Sequence, residues 1–280
     1  MVIKWIKSDI QLITVSLITI IFVLVIALAV ALTVPESKKE SKETDDIEQT
    51  VSFPAVSIPD EVFGSYQCEH VLSDFTDSYY ENEEELIYSY ASFPTIYCQG
   101  NENINQINDA IFQFVSSKSS VKEHEKILAL EKYDRASMNA EGFIQFEFIL
   151  RAESVVVKEK FISILFSYSR TVSLSEPSLE YYSLNFDLSS GEAVNFSDII
   201  AKTENEAIDY IASIISQDIS INPNIYYPNA QDELQYCIDL SSFYLTETGV
   251  EIYFNPETLT PSVYGIRNFL VPYDKIGYTN

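Results

Sequence analysis

Basic residues are scarce in this 280-residue chain: 17 Lys and Arg stand against 42 Asp and Glu, a formal net charge of −25. That field repels phosphate, so nucleic acid and anionic lipid headgroups are disfavoured as partners. A cationic partner is the electrostatic complement. Histidine is scarcer still, with only His70 and His124. His124 sits in the charged run Lys122-Glu123-His124-Glu125-Lys126, where a solvated ring is expected. No H-x-x-x-H, G-x-S-x-G, P-loop or dinucleotide fingerprint occurs. Metal-dependent deacetylation, serine-hydrolase chemistry and nucleotide binding therefore have no local motif to rest on. No cofactor is expected and the chain reads as a non-enzyme.

Cysteine is sparse too. Cys68, Cys98 and Cys237 form no C-x-x-C and no Cys/His cluster, which argues against a structural zinc site. One bridge can form if the domain lies outside the cytoplasm, Cys68 and Cys98 being the closest pair in sequence. Three unpaired thiols are the other reading, and both stay open. Seven glycines and no repeat period argue against a propeller or solenoid.

What is present begins with an apolar run. Ile10 to Val34 is broken only by Gln11, Thr14, Ser16, Thr19 and Thr33, with no charge between Asp9 and Glu36. A helix of about 20 such residues crosses a bilayer, and Pro35 with the polar run after it ends the helix. The expected layout is a short cytoplasmic tail (1–9), a transmembrane helix (10–34), a stalk (35–60) and a body (61–280). The body is placed outside the cytoplasm of a single-pass cell-membrane protein. The rival is a cleaved signal peptide, for which Ala27-Leu28-Ala29 and Ala29-Val30-Ala31 offer small-residue sites. The stalk is charged and Ser/Thr-rich, then Pro-spaced, with no sustained apolar period. Residues 51–280 hold 12 Lys/Arg and 35 Asp/Glu, a charge of −23, so the acidity belongs to the body.

Periodicity outlines that body. A weakly alternating stretch over Val62–Thr76 is followed by the acidic run Asp74–Glu85, read as a solvated loop because the spacing does not match an EF-hand. Leu86–Cys98 reads as a strand reaching a bend at Phe93-Pro94. Ile104, Ile107, Ile111, Phe114 and Val115 recur at helical spacing behind Asn103, which is available as a cap. A weaker helix covers Val121–Tyr133. Two long strands follow, with Ile144, Phe146, Phe148 and Leu150 on one face, and Ile162, Ile164, Phe166 and Tyr168 likewise. Gln145, Glu147, Ser163, Ser167 and Ser169 mark a wetter second face.

Tyr181–Ile200 reads as a hairpin turning at Ser189-Ser190-Gly191-Glu192, with Val194 and Phe196 on a return strand and Ser197 capping a short helix. Thr203 and Glu206 form a capping box before the stripe Ile208, Ile211, Ile214, Ile215 and Ile219, a helix expected on the same sheet. Asn222–Asp232 reads as a loop, Phe243–Phe254 as a hairpin turning at Thr246–Gly249, and Tyr264–Tyr273 as a last strand. The fold class is α+β: an antiparallel sheet with two main helices packed on it.

These elements carry a resemblance. The motifs are Phe93-Pro94-Thr95-Ile96, then Ile104-Asn105-Gln106-Ile107-Asn108, then Ile162-Ser163-Ile164-Leu165-Phe166. Asn185-Phe186-Asp187-Leu188-x-x-Gly191 leads to Phe196-Ser197-Asp198-Ile199. Phe243-Tyr244-Leu245-Thr246-x-x-Gly249-Val250-x-Ile252-x-Phe254 and Val271-Pro272-Tyr273 close the series. Over roughly residues 60–276 the chain resembles the extracytoplasmic domain family shared by the RsiV anti-sigma factor and the N-terminal part of some peptidoglycan deacetylases. The resemblance implies an envelope-facing binding module, since the RsiV domain binds lysozyme. Where that family carries Gly-Gly-Ala-His, this chain has Val172-Ser173-Leu174-Ser175-Glu176-Pro177. The residues before the apolar run are too few to sequester a sigma factor, so anti-sigma activity is not expected.

The leading expectation is a membrane-anchored outer domain that binds a cationic protein such as lysozyme, with Glu83, Glu84 and Glu85 as partner-binding residues. The alternative is a cell-wall glycan-binding or enzyme-accessory module, its tyrosines stacking on sugar rings.

Overall fold

The computed structural model describes residues 66–172 and 177–278. The expected tail, membrane helix and stalk (1–60) lie outside the described residues, as does most of the Val172–Pro177 stretch. Among the described residues no helix is long and apolar enough to cross a membrane.

β1 (Cys68–Glu81) and β2 (Glu84–Cys98) pair antiparallel from Cys68↔Cys98 to Glu81↔Glu84. The acidic run is therefore strand and turn rather than loop. Phe75, Thr76, Tyr79 and Tyr80 have the β-branched or aromatic shapes that suit a pleated surface. Asn82 and Glu83 both take positive φ, at 49° and 68°, the geometry of a tight two-residue hairpin turn. β2 also runs unbroken through Phe93-Pro94 instead of bending. Gln99 N–H donates to Gln67 C=O, so odd-numbered β1 residues up to Tyr79 bond across to β2 in this register. Pro94, opposite Leu72, turns its nitrogen away from β1, and pairing with β3 has already stopped at Ser92. Its missing N–H costs no ladder bond.

α1 (Ile104–Ser119) and α2 (Glu123–Asn139) carry the chain across to β3 (Phe146–Lys158), which lies parallel to β2. β4 (Phe161–Thr171) and β5 (Ser178–Asp187) complete the order β1-β2-β3-β4-β5, antiparallel at every other junction. The sheet is thus mixed, not antiparallel throughout, because the two helices supply the long crossover a parallel pair needs. α1 buries Ile107, Ile111 and Val115 against Leu150, Ile162, Ile164 and Phe166. α2 lays Ala129 over Phe146 and Phe148.

The turn after β5 is held by α1. Gly191 has φ +75°, and a Cβ built there would lie 2.9 Å from the Asn103 Cβ. Asn103 does not cap α1 through its side chain; it donates instead to the Ser189 carbonyl at 2.6 Å. The expected return strand shrinks to a single bridge, Phe186↔Ala193. The short helix is a 3₁₀ turn, Phe196–Asp198, whose cap is Asn195 rather than Ser197. The Asp198 carboxylate accepts from the Asn195 N–H at 2.7 Å.

α3 (Glu204–Ile221) opens with the expected box: Thr203 N–H donates to Glu206 Oε2 at 3.0 Å, and Glu206 N–H to Thr203 Oγ1 at 3.4 Å. Its partner is not the five-stranded sheet. Ala207, Ile211 and Ile215 pack in a core with Leu245, Val250, Ile252 and Val271. Those residues belong to a second, antiparallel sheet of β6 (Phe243–Leu245), β7 (Gly249–Phe254) and β8 (Arg267–Pro272). The expected loop 222–232 contains a 3₁₀ turn, Pro223–Ile225, and the start of α4 (Ala230–Cys237), which buries Ala230 and Leu234. A short α5 (Tyr273–Ile276) follows β8.

The sheets meet on the face expected to be wet. Leu245 N–H donates to Ser163 Oγ at 2.9 Å, and Asn185 Nδ2 to the Phe243 carbonyl at 3.1 Å. Ser163 is fully buried, and Leu165 packs with Tyr244 and Tyr253. Two separate sheets on an α+β plan replace the single sheet with two helices.

Candidate functional site

The three predicted partner-binding residues sit at the tip of the β1–β2 hairpin, but they do not act together. Glu83 is in the turn and Glu84 opens β2; both are exposed. Glu84 stands beside the Tyr133 phenol on α2, whose pKa is raised, first by desolvation and then by that carboxylate. Glu85 is half-buried and engaged. It accepts from Tyr80 OH at 2.9 Å and from Gln145 Nε2 at 2.7 Å. Hydrogen bonds, that of Ser78 foremost, hold its carboxyl below the usual range despite partial burial. Glu85 is therefore a fastening between β2 and the segment entering β3. Glu83 and Glu84 are the ones open to a partner.

Around this tip a pattern appears that charge counting does not reveal. Among the described residues three ion pairs form: Lys126–Glu123, Arg267–Asp218 and Lys275–Asp274. Among the same described residues seven tyrosine hydroxyls donate to carboxylates. Tyr80–Glu85, Tyr90–Asp74, Tyr244–Glu251 and the longer Tyr79–Glu81 contact are 2.9, 2.8, 2.6 and 3.5 Å. Tyr182–Glu180, Tyr226–Asp218 and Tyr227–Glu257 complete the set. A phenol satisfies a carboxylate's lone pairs without cancelling its charge. The signal in the sequence was the pairing of tyrosine-rich composition with acid excess, but which tyrosine meets which acid depends on register.

Tyr181 and Tyr253, like Tyr244 and Tyr253, pack ring against ring at 6.0 and 6.3 Å, whereas Tyr80, Tyr97 and Tyr236 are exposed.

Cys68 and Cys98 form a disulfide that ties the start of β1 to the end of β2. Cys237 is free and half-buried, and burial followed by nearby Glu233 raises its thiol pKa. His70 lies exposed on β1 and His124 exposed in the first turn of α2. Among the described residues no group of three or more His, Cys, Asp or Glu is placed to hold a metal ion. A shallow cleft of ≈ 200 Å³ beside the end of α2 is lined by Lys132, Arg135, Glu141, Phe143 and Val172. Sequence reasoning singled out neither of its cations.

A family profile described as "Protein of unknown function (DUF3298)" matches residues 197–274, the stretch from the 3₁₀ turn through α3, α4 and the second sheet. Among solved structures the chain is similar to a DUF3298 family member from Bacteroides fragilis NCTC 9343, with 14% identity and a TM-score of 0.53. That likeness covers 78% of this chain and 95% of the other. A DUF3298 family protein from Pseudomonas aeruginosa PAO1 is similar at 13% identity and a TM-score of 0.45, covering 76% and 94%. At such identity the first likeness speaks for the fold. No curated protein matches the chain.

Proposed function

We propose that this chain is a membrane-anchored, extracytoplasmic binding domain that captures a cationic protein, lysozyme being a suitable example, and that it has neither enzymatic nor anti-sigma activity. The observation that carries the reading is how the acids are satisfied. Among the described residues seven carboxylates accept from tyrosine hydroxyls and three pair with Lys or Arg, Asp218 doing both, so most of the negative field of the body persists at its surface. Such a field speeds encounter with a cationic partner more than it sets the final affinity. The Cys68–Cys98 disulfide supports placement in an oxidising compartment. The apolar run 10–34 supports the anchor, and the RsiV resemblance supports the partner class.

The test is titration of the full chain with hen lysozyme at low and at physiological salt. Specific capture predicts binding that persists at physiological salt, with an association rate that falls as salt rises. Binding confined to low salt would reduce the interaction to nonspecific attraction. No binding at either would overturn the reading, and sedimentation with protein-free peptidoglycan would then test the glycan alternative.

A further inference from the structure

We propose that the outer edge of β1 is a strand-addition site for an extended basic segment of the partner. This deepens the reading above and rests on it. β1 is the terminal strand of the five-stranded sheet and runs for 14 residues. Because Gln67 C=O faces β2, the residues bonding inward are 69, 71, 73 and 75. The N–H and C=O groups of His70, Leu72, Asp74 and Thr76 therefore point away from the sheet. Among the described residues no partner for these eight groups is present. Further along, the edge closes itself: Ser78 N–H donates to Asp77 Oδ1 at 2.9 Å, and Asp77 Oδ2 accepts from Val121 N–H at 2.8 Å. The open template is thus the stretch 70–76.

Its flanks are apolar and its charge has one sign. Val71 and Leu72, on opposite faces, are 58% and 56% exposed, and Phe112 of α1, 49% exposed, packs its ring 6.4 Å from that of Phe75. An added strand would lay alternate side chains over Val71 and Phe112 on one side and Leu72 on the other. β1 carries Glu69, Asp74, Asp77 and Glu81 and no Lys or Arg. A second copy pairing edge to edge would set these acids against their own kind, whereas a basic strand would meet opposite charge directly across. The Cys68–Cys98 disulfide anchors one end of the edge, so little ordering is required on binding.

The experiment compares three probes on the full chain: an alternating Lys-Val octapeptide, the same peptide N-methylated at alternate residues, and oligolysine of equal charge. Hydrogen exchange is read at the amides of His70, Leu72, Asp74 and Thr76. The expected result is fast exchange there in the free chain and protection by the Lys-Val peptide. The N-methylated peptide, with the same charge, should bind about tenfold more weakly or less because its backbone bonds are blocked. Leu72→Pro should weaken the Lys-Val peptide similarly while leaving the fold intact, since that N–H serves no ladder bond. If Leu72→Pro fails to fold, the N-methyl comparison on the unaltered chain decides. Equal binding of all three probes would overturn strand addition and leave cationic capture standing. No binding of any cationic probe would overturn both. Protection of these amides in the free monomer would assign the edge to the chain's own residues 51–65, and protection that appears with dimerisation would assign it to a second copy.

Discussion

The carboxamide of Asn255 closes both backbone groups of Tyr181: it accepts the Tyr181 N–H at 2.6 Å and donates to the Tyr181 carbonyl at 3.1 Å. β5 is the far edge of the large sheet, and this side chain stands where a sixth strand would pair. Asn108 of α1 does the same for Ile96 of β2, at 2.8 and 2.9 Å, beyond the point where the β2–β3 ladder stops at Ser92. Each asparagine lets a strand continue past its last neighbour without leaving buried polar groups unpaired.

Truncating either should therefore cost more than an ordinary hydrogen bond. Asn108→Ala is expected to destabilise by about 2 kcal/mol, because the Ile96 groups lose both partners at a buried residue. Asn255→Ala should cost less, since Tyr181 is half-buried and water can substitute. Urea unfolding of both variants checks the order, and equal small losses would show that water replaces the amide at both places.

Gly191 is fixed by two independent demands. Its φ of +75° disfavours a side chain, and the Asn103 Cβ lies 2.9 Å from where one would begin. Gly191→Ala should lower stability by about 1–3 kcal/mol, and Asn103→Ala should not rescue it, since the obstructing atom is a Cβ that alanine keeps. Asn103→Gly should recover part of the loss by removing that atom. Thermal melts of the single and double variants measure the coupling.

This turn also marks where sequence reading succeeds. Gly191, the Thr203–Glu206 box and the Phe243–Phe254 hairpin were legible because turn and cap chemistry is local. The parallel placement of β3 beside β2 and the second sheet were not. Both depend on which apolar faces meet, and Ile208, Ile211 and Ile215 look the same whichever sheet receives them. Asn108 and Asn255 pair with backbone at a distance, which leaves no periodic mark. At the hairpin tip, charge identified Glu83, Glu84 and Glu85 as one group. The turn at Asn82-Glu83 and the shift between Tyr79 and Tyr80 then sent Glu85 inward, a matter of register that composition does not contain.

The thiols give a count that can be read directly. Cys68 and Cys98 are paired and Cys237 is free, so the native chain should titrate one thiol, slowly, because burial raises its pKa. After reduction in denaturant the number should be three. The bridge closes a loop of sequence separation 30, for which chain entropy gives up to about 3–4 kcal/mol. The paired Cys68→Ser/Cys98→Ser variant should melt well below the parent. Three fast thiols in the native chain would contradict the assignment and remove one support for an oxidising compartment.

Alkaline titration tests the tyrosine network as a whole. Burial, reinforced by the Asp218 carboxylate, pushes the Tyr226 phenol up to about 12, and burial foremost does the same for Tyr168. Tyr182, Tyr244, Tyr273 and Tyr278 are shifted further in the same direction. A folded pKa above the unfolded value of 10.0 means the neutral form is favoured in the fold. The stabilisation is then complete below pH 10 and is lost as pH rises towards and past 12. Asp218 works at the other end. Burial raises its pKa, but hydrogen bonds from Tyr226, Asn222 and Arg267 outweigh that and lower it overall, so its contribution is present above the ordinary Asp value and fades as acid is added. Absorbance at 295 nm should show a cooperative phase above pH 11 that coincides with loss of the far-UV signal. Tyr226→Phe should weaken the acid limb, because it removes a donor to Asp218, and remove one phenol from the cooperative phase. A single gradual titration with the fold intact would mean that the phenols are not held by their carboxylates, and the surface field would then need another account.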